Sequence, residues 1–182
     1  MRTSVFIATS LDGYIAREDG SIDWLEEANK VVPAGEDCSY AAFMSTVDLL
    51  VMGSGTFDKV LGFPAWPFGE KPVWVVSQTL KALPAHLPAQ VRLVSGTVQQ
   101  IASQAQQWGY QRLYLDGGKL IQSFLREGLI TDITVTTIPM LLGSGRPLFG
   151  ALPGDVALDL VTSVAYPFGF VQSTYLVKRP NA

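Results

Sequence analysis

The chain has almost none of the residues that build disulfide, zinc and thiol–imidazole sites. Its 182 residues include one cysteine, Cys38, and one histidine, His86. These are too few for a disulfide framework, a zinc site or a Cys/His nucleophile system within one chain. We therefore expect no metal site. We interpret Cys38 as a small apolar helix residue and His86 as a solvated loop residue.

Clustered positive charge and long apolar runs are also missing. The 13 Lys and Arg residues are scattered among 16 Asp and Glu residues, and the formal net charge is -3. Nucleic-acid-binding proteins need clustered Lys and Arg to displace counterions from phosphates, so we expect no nucleic-acid partner. No apolar run reaches the roughly 18 to 20 residues that span a bilayer, and the stretch at 5–8 is shorter than the core of a signal peptide. We therefore expect a cytoplasmic protein without membrane contact.

The chain does contain enough apolar material for one core. Hydrophobic residues make up 48% of the chain and charged residues 16%, and the length fits a single domain over 1–182. Short apolar runs alternate with helical segments, which predicts βαβ units, a mostly parallel sheet and helices on both faces. The predicted strands are 3–9, 48–52, 73–77, 91–95 and 112–115, and the predicted helices are 38–47, a short one from 56, 97–108 and 119–126, with 10–35 irregular.

The C-terminal third breaks this alternation. Three strand-like runs, 130–138, 156–165 and 170–178, follow one another without a helix, and Pro167-Phe168-Gly169 predicts a hairpin turn. An antiparallel edge is therefore expected. The last two runs keep apolar residues on both faces, whereas a solvent-facing hairpin shows polar residues at every second position. We expect a homodimer built on these strands, since two-fold pairing is the commonest cover for such an edge.

Glycine turns follow three of the predicted strands, at Asp12-Gly13, 53–55 and 117–118. In open α/β sheets ligands bind outside the carboxyl ends of the strands, and glycine there lets backbone N–H groups approach a phosphate at a helix N-terminus. Glycine after a strand is also ordinary turn chemistry, so each turn taken alone is weak evidence for a ligand site. The spacing matches neither GxGxxG nor a P-loop, so the common nucleotide-binding fingerprints are absent.

Taken in order, several segments resemble a known family. The segments are SLDGYIA at 10–16, DLLVMGSGTF at 48–57, VVSQ at 75–78, LYLDGGKL at 113–120 and PMLLGSGRPLF at 139–149. Together they resemble dihydrofolate reductase, and more closely the C-terminal reductase domain of the bacterial bifunctional riboflavin-biosynthesis protein and its stand-alone relatives. The resemblance covers nearly the whole chain and implies a dihydrofolate-reductase-like, three-layer αβα fold with an antiparallel C-terminal hairpin.

The resemblance also implies a function and a set of site residues. It implies an oxidoreductase that transfers a hydride from NADPH, or from NADH, to a small heterocyclic, imine or carbonyl substrate. Asp12 is the candidate catalytic residue, and Asp12, Trp24 and Thr136 are the expected substrate contacts; a structural turn or N-cap role for Asp12 is the alternative. The expected cofactor-binding residues are Ala8, Ile15, Gly53, Ser54, Thr56, Ser77, Gln78, Leu115, Gly117, Gly118, Lys119 and Leu120.

Two departures from the family pattern bear on cofactor and substrate. Ser54 stands where the family carries the arginine that holds the adenosine 2'-phosphate, which leaves Lys59 and Lys81 as nearby substitutes. Ser39 stands near the position of the buried carboxylate that protonates dihydrofolate, with the acids 36–37 close by but out of register. Dihydrofolate is therefore not the expected substrate.

Other interpretations remain open at this stage. The two missing side chains are compatible with a ligand-binding protein that keeps the fold without turnover, and a third possibility is a flavin-binding α/β protein. The aromatic residues Phe63, Trp66 and Phe68 lie in a proline-rich loop. They can form a wall of the substrate pocket or a satellite cluster packed under the loop.

Overall fold

The computed structural model describes residues 1–178 and centres on an eight-stranded sheet. Its strands are β1 (Arg2–Ser10), β3 (Leu49–Gly53), β4 (Val73–Val76), β5 (Val91–Val94), β6 (Arg112–Asp116), β7 (Asp132–Ile138), β9 (Leu158–Ala165) and β10 (Val171–Val177). A second, two-stranded sheet pairs β2 (Tyr14–Ala16) with β8 (Arg146–Pro147). The helices are α1 (Asp23–Ala28), α2 (Tyr40–Ser45), α3 (Ser54–Leu61), α4 (Val98–Gln107) and α5 (Gly118–Arg126), with a 3₁₀ turn at Asn29–Val31.

The large sheet is parallel except at one edge. Its strand order is β5-β4-β3-β6-β1-β7-β10-β9. The first six strands in this order, from β5 to β7, run parallel to one another. Strand β10 lies between β7 and β9 and is antiparallel to both. The predicted mostly parallel sheet with an antiparallel C-terminal hairpin is confirmed.

Two cores, one on each face of the sheet, produce the three layers. The central strands are near-continuous apolar runs, as expected of parallel strands covered on both sides; Leu49 to Met52 are all fully buried. Alternate residues of these strands therefore enter opposite cores. Val51 packs with α4 and α5 on one face, whereas Leu50 and Met52 pack with α2 and α3 on the other.

The segment predicted to be irregular, 10–35, contains three short elements: β2, α1 and the 3₁₀ turn at Asn29–Val31. Helix α1 has six residues and no side-chain cap, so neither helical periodicity nor a capping residue marks it in the sequence. The two-residue strand β8 was also not predicted. None of the helices within residues 1–178 is long and apolar enough to cross a membrane.

Two predicted helix boundaries are wrong. Helix α3 begins at Ser54 rather than 56, because Gly53 is extended and serves as its N-cap. Helix α2 begins at Tyr40 rather than 38, because Cys38 and Ser39 both have positive φ values, 51° and 65°. Cys38 therefore precedes the helix instead of lying in it. His86 lies exposed in a loop, as predicted.

Candidate active site

A cavity of about 2010 Å³ lies at the carboxyl ends of the parallel strands. Residues near or just beyond the carboxyl ends of five strands line it. They are Ala8 on β1, Gly53 on β3, Ser77 just after β4, Asp116 on β6 and Ile138 on β7. Sites for a single small ligand usually measure about 300–1,000 Å³. This cavity is therefore large enough to hold two ligands side by side.

Most of the residues predicted to contact a ligand line this one cavity. They are Ala8, Ile15, Gly53, Ser54, Thr56, Ser77, Gln78, Gly117, Gly118, Lys119, Leu120 and Thr136. Three predicted residues, Asp12, Trp24 and Leu115, are not among the lining residues. Leu115 is fully buried, because its side chain packs in the core that α4 and α5 form on one face of the sheet.

Asp12 ties two loops together instead of facing the cavity. Its carboxylate accepts hydrogen bonds from the Ser10 hydroxyl at 2.5 Å and from the backbone N–H groups of Leu142 and Gly143 at 3.1 and 2.7 Å. The hydrogen bond from Ser10 is the main cause that lowers the pKa of Asp12, opposed by partial desolvation. Both carboxylate oxygens are engaged in these loop contacts, so the alternative, structural role fits Asp12.

Trp24 is a core residue rather than a wall of the cavity. Its side chain is 1% exposed and packs with Ile138 and Phe170. The neighbouring residues Ile22 and Leu25 line the cavity in its place. Helix α1 therefore reaches the cavity through a different face from the one that the family motif indicated.

The N-termini of two helices lie side by side at the cavity, and neither has a side-chain cap. Helix α3 begins after Gly53 and helix α5 after Gly117, and neither N-cap residue offers a side-chain hydrogen bond. Helix α4, in contrast, carries a capping box in which Thr97 and Gln100 satisfy each other's backbone N–H groups. Unsatisfied N–H groups at the positive end of a helix form a binding site for an anion. The donors at α3 and α5 therefore fit a diphosphate.

The diglycine turn allows these two helix ends to meet. Gly117 has φ +100°, and a Cβ there would strike the Thr56 hydroxyl at the start of α3. A Cβ at Gly118 would lie 2.9 Å from Ile15 Cδ1 and 3.1 Å from the Pro147 carbonyl oxygen. Both glycines are therefore required by contacts within the protein as well as by any ligand.

Four cationic side chains line the cavity: Lys119 in the first turn of α5, Arg146 on β8, and Lys59 and Arg126 in the last turns of α3 and α5. None of the four forms a salt bridge within residues 1–178. The Arg146 Nε–H donates to the Glu18 carbonyl at 3.2 Å, and its guanidinium lies beside Gly20 and within 4.0 Å of the Cβ position of Gly55. Lys81, predicted as a substitute for the missing arginine, does not line the cavity.

Asp116 is the acidic group deepest in the site, and no role was predicted for it. It ends β6, directly before the diglycine turn, and lines the cavity. Burial raises the pKa of Asp116 from 3.8 to about 6, partly offset by a hydrogen bond from the Gly117 N–H. Its position between a buried strand and a glycine turn was the available sequence signal.

Aromatic side chains surround Asp116. Burial, followed by the charge of Asp116, raises the pKa of Tyr40 to about 12. The Tyr114 hydroxyl donates to the Phe6 carbonyl at 3.0 Å, and the rings of Phe6 and Tyr40 lie 5.7 Å apart. The two tyrosines are thus uncharged at neutral pH and give the carboxyl an apolar, aromatic setting.

We name this end of the cavity the apolar chamber. Its wall comprises Phe6, Ala8, Leu25, Val32, Tyr40, Thr136, Ile138 and Phe170. Gln172, which is buried, holds the wall in place by donating to both the Cys38 carbonyl and the Thr136 hydroxyl at 2.9 Å. Thr136 is therefore positioned at the cavity surface, as predicted for a substrate contact, by a residue that the sequence did not single out.

The acids near the predicted carboxylate position lie at the mouth of this chamber. Glu36 and Asp37 line the cavity, whereas Ser39 does not. Asp37 accepts a hydrogen bond from the Ala41 N–H at 2.8 Å in the first turn of α2. In the proline-rich loop, Phe63 and Phe68 line the cavity, whereas Trp66 packs edge-on against Phe68 with ring centroids 5.4 Å apart. Both interpretations of that loop thus hold for different residues.

Comparison with known proteins yields relatives that match along most of the chain. A Bacillus subtilis (strain 168) protein, the uncharacterised YwjB, is 34% identical over 163 residues, which is 87% of this chain and 88% of YwjB. The crystal structure of a candidate riboflavin biosynthesis protein from Shewanella sp. PV-4 superposes with a TM-score of 0.91 at 42% identity, covering 98% of this chain and all of that one.

More distant structures share the fold. Dihydrofolate reductase from Enterococcus faecalis, complexed with NADP(H) and RAB-propyl, has a TM-score of 0.64 at 15% identity, and the superposition covers 98% of this chain and 97% of that one. The Thermotoga maritima diaminohydroxyphosphoribosylaminopyrimidine deaminase/5-amino-6-(5-phosphoribosylamino)uracil reductase has a TM-score of 0.68 at 17% identity, covering 97% of this chain and 56% of that one.

The fold is therefore that of dihydrofolate reductase, as the sequence motifs implied. The family model described as the RibD C-terminal domain matches residues 3–171, which is nearly the whole chain. With the cavity at the strand ends and the diglycine turn between two helices, this match establishes that the chain belongs to the RibD C-terminal domain family of reductase-like proteins.

Proposed function

We propose that the protein is a reductase that transfers a hydride from NADPH or NADH to a small heterocyclic, imine or carbonyl substrate. One observation carries the proposal: a single cavity joins two uncapped helix N-termini to the apolar chamber, and one half-buried carboxyl group, Asp116, lines the same cavity. A dinucleotide needs an anion site at one end and a dry pocket for its reactive ring at the other. The cavity offers both.

The residues at the helix end fit the cofactor's diphosphate. The N–H groups at the starts of α3 and α5 would donate to its oxygens, with Lys119 and Arg146 supplying positive charge. Ser77 and Gln78, at the end of β4, would face the adenosine, and Ala8 and Ile15 would flank the nicotinamide. The nicotinamide supplies the hydride when it is bound; the protein's own part is to hold it in place and exclude water.

The apolar chamber would hold the hydride acceptor against the nicotinamide. Its aromatic and aliphatic wall favours a planar compound and excludes water from the reacting atoms. The carboxyl of Asp116, with its pKa raised to about 6, keeps a proton over part of the physiological pH range. From its position it can donate that proton to a nitrogen or oxygen of the substrate. We therefore propose Asp116, in place of Asp12, as the candidate catalytic residue.

The relatives support this proposal. The E. faecalis reductase was crystallised with NADP(H), and the T. maritima protein is named as a reductase of a uracil derivative. Both facts concern those proteins, and at 15% and 17% identity they show a common fold. They make a nicotinamide cofactor and a pyrimidine-like substrate the first compounds to test.

The test is a titration of the purified protein with NADPH and with NADH, followed by quenching of tryptophan fluorescence and by calorimetry. We expect one cofactor per chain, and we expect its absorbance at the reduced-nicotinamide band to fall when a suitable pyrimidine, pteridine or carbonyl compound is added. The absence of saturable binding of both cofactors would contradict the proposal.

A second candidate is a ligand-binding protein that does not turn over. It is favoured by the serines at positions 54 and 39, where the family motif has an arginine and reductases of dihydrofolate have a carboxylate. Stoichiometric cofactor binding without oxidation across the whole substrate panel would support this candidate. A yellow purified sample would instead point to the flavin-binding alternative.

A further inference from the structure

We propose that Gln172 is a positioning residue of the apolar chamber, which fixes the hydroxyl of Thr136 as a hydrogen-bond donor toward the bound substrate. The chamber would then select a substrate that presents an acceptor atom, a carbonyl oxygen or an unprotonated ring nitrogen, to Thr136. The inference rests on the proposed function, because it concerns the substrate in the same cavity. It is carried by the hydrogen bonds of one buried amide.

Gln172 is buried at a position where an apolar side chain would be the ordinary choice. It is the only buried residue of β10, a strand that lies wholly within the described residues, and it is 7% exposed. A buried amide costs free energy unless its polar atoms are hydrogen-bonded. The Gln172 Nε2 group donates to the Cys38 carbonyl and to the Thr136 hydroxyl, both at 2.9 Å. Two cavity-lining residues therefore determine the position of this side chain.

The Cys38 carbonyl determines which way the amide faces. A carbonyl oxygen only accepts hydrogen bonds, so the Gln172 atom beside it must be the amide nitrogen and not the amide oxygen. The same nitrogen faces the Thr136 hydroxyl, which must therefore accept a hydrogen bond from it. These two contacts use both N–H groups of the amide.

The proton of the Thr136 hydroxyl is consequently left for another partner. A hydroxyl has one O–H donor and two acceptor lone pairs, and the contact with Gln172 occupies a lone pair. Within residues 1–178 the Thr136 side chain makes no second hydrogen bond. Thr136 is 6% exposed and lines the cavity, so a ligand bound there is the partner that its proton can reach.

Strand register places Thr136 beside the site proposed for the reacting ring of the cofactor. Thr136 pairs with Ala8 of β1 on one side and with Gln172 of β10 on the other, so the three side chains form a row on one face of the sheet. Ala8 is proposed to flank the nicotinamide, and neighbouring strands lie about 4.8 Å apart. A ring held against the nicotinamide would therefore have an edge within reach of the Thr136 hydroxyl.

A second polar pair lies two residues along the same strands but does not line the cavity. The hydroxyls of Thr134 and Thr174 are 3.0 Å apart, and either can donate to the other. The two residues are directly opposite each other, as Thr136 and Gln172 are. Neither Thr134 nor Thr174 lines the cavity. This pair therefore offers a matched control, a cross-strand hydrogen bond between the same strands without access to a ligand.

The test reverses the direction of the hydrogen bond at Thr136. In Gln172→Glu a carboxyl oxygen faces Thr136 and accepts where the amide nitrogen donated, because the Cys38 carbonyl requires any proton that the carboxyl carries. Two neutral bicyclic probes are titrated into the free protein and into the protein·NADPH complex by ligand-observed NMR. They are quinoline, whose ring nitrogen accepts a hydrogen bond, and indole, whose N–H donates one. We expect the ratio of quinoline affinity to indole affinity to fall about tenfold in the variant.

Variants at Thr136 assign that change to its hydroxyl. Thr136→Ser should keep the parent's affinity ratio, whereas in Thr136→Val the additional change Gln172→Glu should no longer alter the ratio. Thr174→Val is the matched control and should also keep the parent's ratio. An unchanged ratio in folded Gln172→Glu would overturn the inference, and so would an equal fall in the presence of Thr136→Val. A purely structural role for Gln172 would weaken the binding of both probes alike and leave the ratio unchanged.

Circular dichroism and thermal unfolding establish that each variant is folded. If Gln172→Glu is not, Gln172→Met removes the donor without supplying an acceptor, and the ratio should fall by a smaller factor; an unchanged ratio would again overturn the inference. If neither variant folds, the crystal structure of the parent with quinoline decides, with the ring nitrogen expected about 3 Å from Thr136 Oγ1. A ring nitrogen directed elsewhere, or no saturable binding of quinoline, would contradict the inference.

The affinity for NADPH is measured on the same preparations. A parent protein that does not bind NADPH would remove the reductase proposal, while the probe ratio in the free protein would still test the role of Gln172. Intact NADPH binding with an unchanged probe ratio would remove the role of Gln172 alone. The two failures are therefore distinguishable.

Discussion

Asp116 links the chemistry of the site to the stability of the protein. Its pKa is raised to about 6 in the folded protein by burial, against 3.8 for an ordinary aspartate. Between these two values the folded protein holds a proton that the unfolded chain has released. Its contribution to the free energy of unfolding is therefore most favourable below about pH 4 and declines as the pH rises to about 6.

The first prediction concerns the variant Asp116→Asn, which cannot ionise. The difference in unfolding free energy between variant and parent at pH 4 serves as the reference. Above pH 6 this difference should have shifted in favour of the variant by on the order of 2 kcal/mol. Denaturant unfolding at several pH values measures this. If the carboxyl also donates a proton to the substrate, the parent's turnover should fall as the pH rises through about 6, and the variant should lose both the activity and that pH dependence. A parallel pH–stability profile in both proteins would contradict the raised pKa.

We expect Ser54 to determine how strongly the protein discriminates between NADPH and NADH. It is the first residue of α3, it is half-buried and it lines the cavity, into which a longer side chain at this position can extend. Ser54→Arg should improve the affinity for NADPH by roughly 1–3 kcal/mol, the scale of a charged hydrogen bond, and should leave the affinity for NADH unchanged. Equal affinities of parent and variant for both cofactors would show that the adenosine lies elsewhere.

Single residues also mark the limit of what the sequence could predict about the site. Twelve of the residues that the motifs predicted as ligand contacts line the cavity, because the carboxyl ends of parallel strands meet at one edge of the sheet. Asp12 does not line it; its hydrogen-bond partners, Leu142 and Gly143, are 130 and 131 residues away in the chain and could not be inferred from the motif. Asp116 was not predicted because the strand and glycine turn around it mark its position without showing that its carboxyl is desolvated.

At the scale of elements, the uncapped starts of α3 and α5 and the strand β8 together form the proposed diphosphate site. Arg146, on β8, places a guanidinium near the first turn of α3 although a helix N-terminus disfavours positive charge. An anion bound between the Arg146 guanidinium and the N-terminus of α3 would be attracted to both. The close approach of these two positive groups is therefore better explained with a bound anion than without one.

The third prediction is that Arg146→Ala weakens NADPH binding about tenfold and reduces the salt dependence of that binding. Arg92→Ala is the matched control, because Arg92 stacks on Trp108 at β5, away from the lining residues of the cavity. Fluorescence titrations at two ionic strengths provide the measurement. Similar losses in both variants would argue against a direct phosphate contact.

The elements themselves were predictable where they were long or fully buried. Strand β3 is a run of buried apolar residues, and α4 carries a capping box at Thr97, both of which are readable from sequence. Helix α1 and strands β2 and β8 have six, three and two residues, which is too short for any periodicity. The start of α2 was misplaced because the positive φ values at Cys38 and Ser39 are imposed by tertiary contacts, including the hydrogen bond from Gln172 to the Cys38 carbonyl.

At the scale of the whole molecule, the last hairpin leaves an apolar edge. All eight residues of β9 are exposed, and on it Leu160 and Val161 are 60% and 52% exposed. Strand β9 has β10 as a neighbour on one side only, so its other edge has free backbone groups. We propose that a second copy of the chain covers this hairpin.

The fourth prediction follows from that proposal. Sedimentation equilibrium at micromolar concentration should give twice the chain mass of 19.7 kDa. Leu160→Glu should shift the protein toward the monomer without loss of monomer stability, since the side chain is already exposed. Leu141→Glu, at a 68% exposed loop position outside the hairpin, should leave the dimer intact. A monomer in the parent protein would refute the proposal.

The place of β1 in the sheet has a consequence for how the chain reaches its folded state. Strand β1 precedes the other strands of the large sheet in the chain, yet its two neighbours are β6 and β7, so Arg2 pairs with Arg112 and Ser4 with Asp132. During synthesis β1 therefore has no partner until β6 has been made, and it has only one until β7 follows. Such long-range pairing slows folding and leaves an aggregation-prone segment exposed during translation. A central strand of the finished sheet thus stays unpaired while three other strands of the same sheet, β3, β4 and β5, are made.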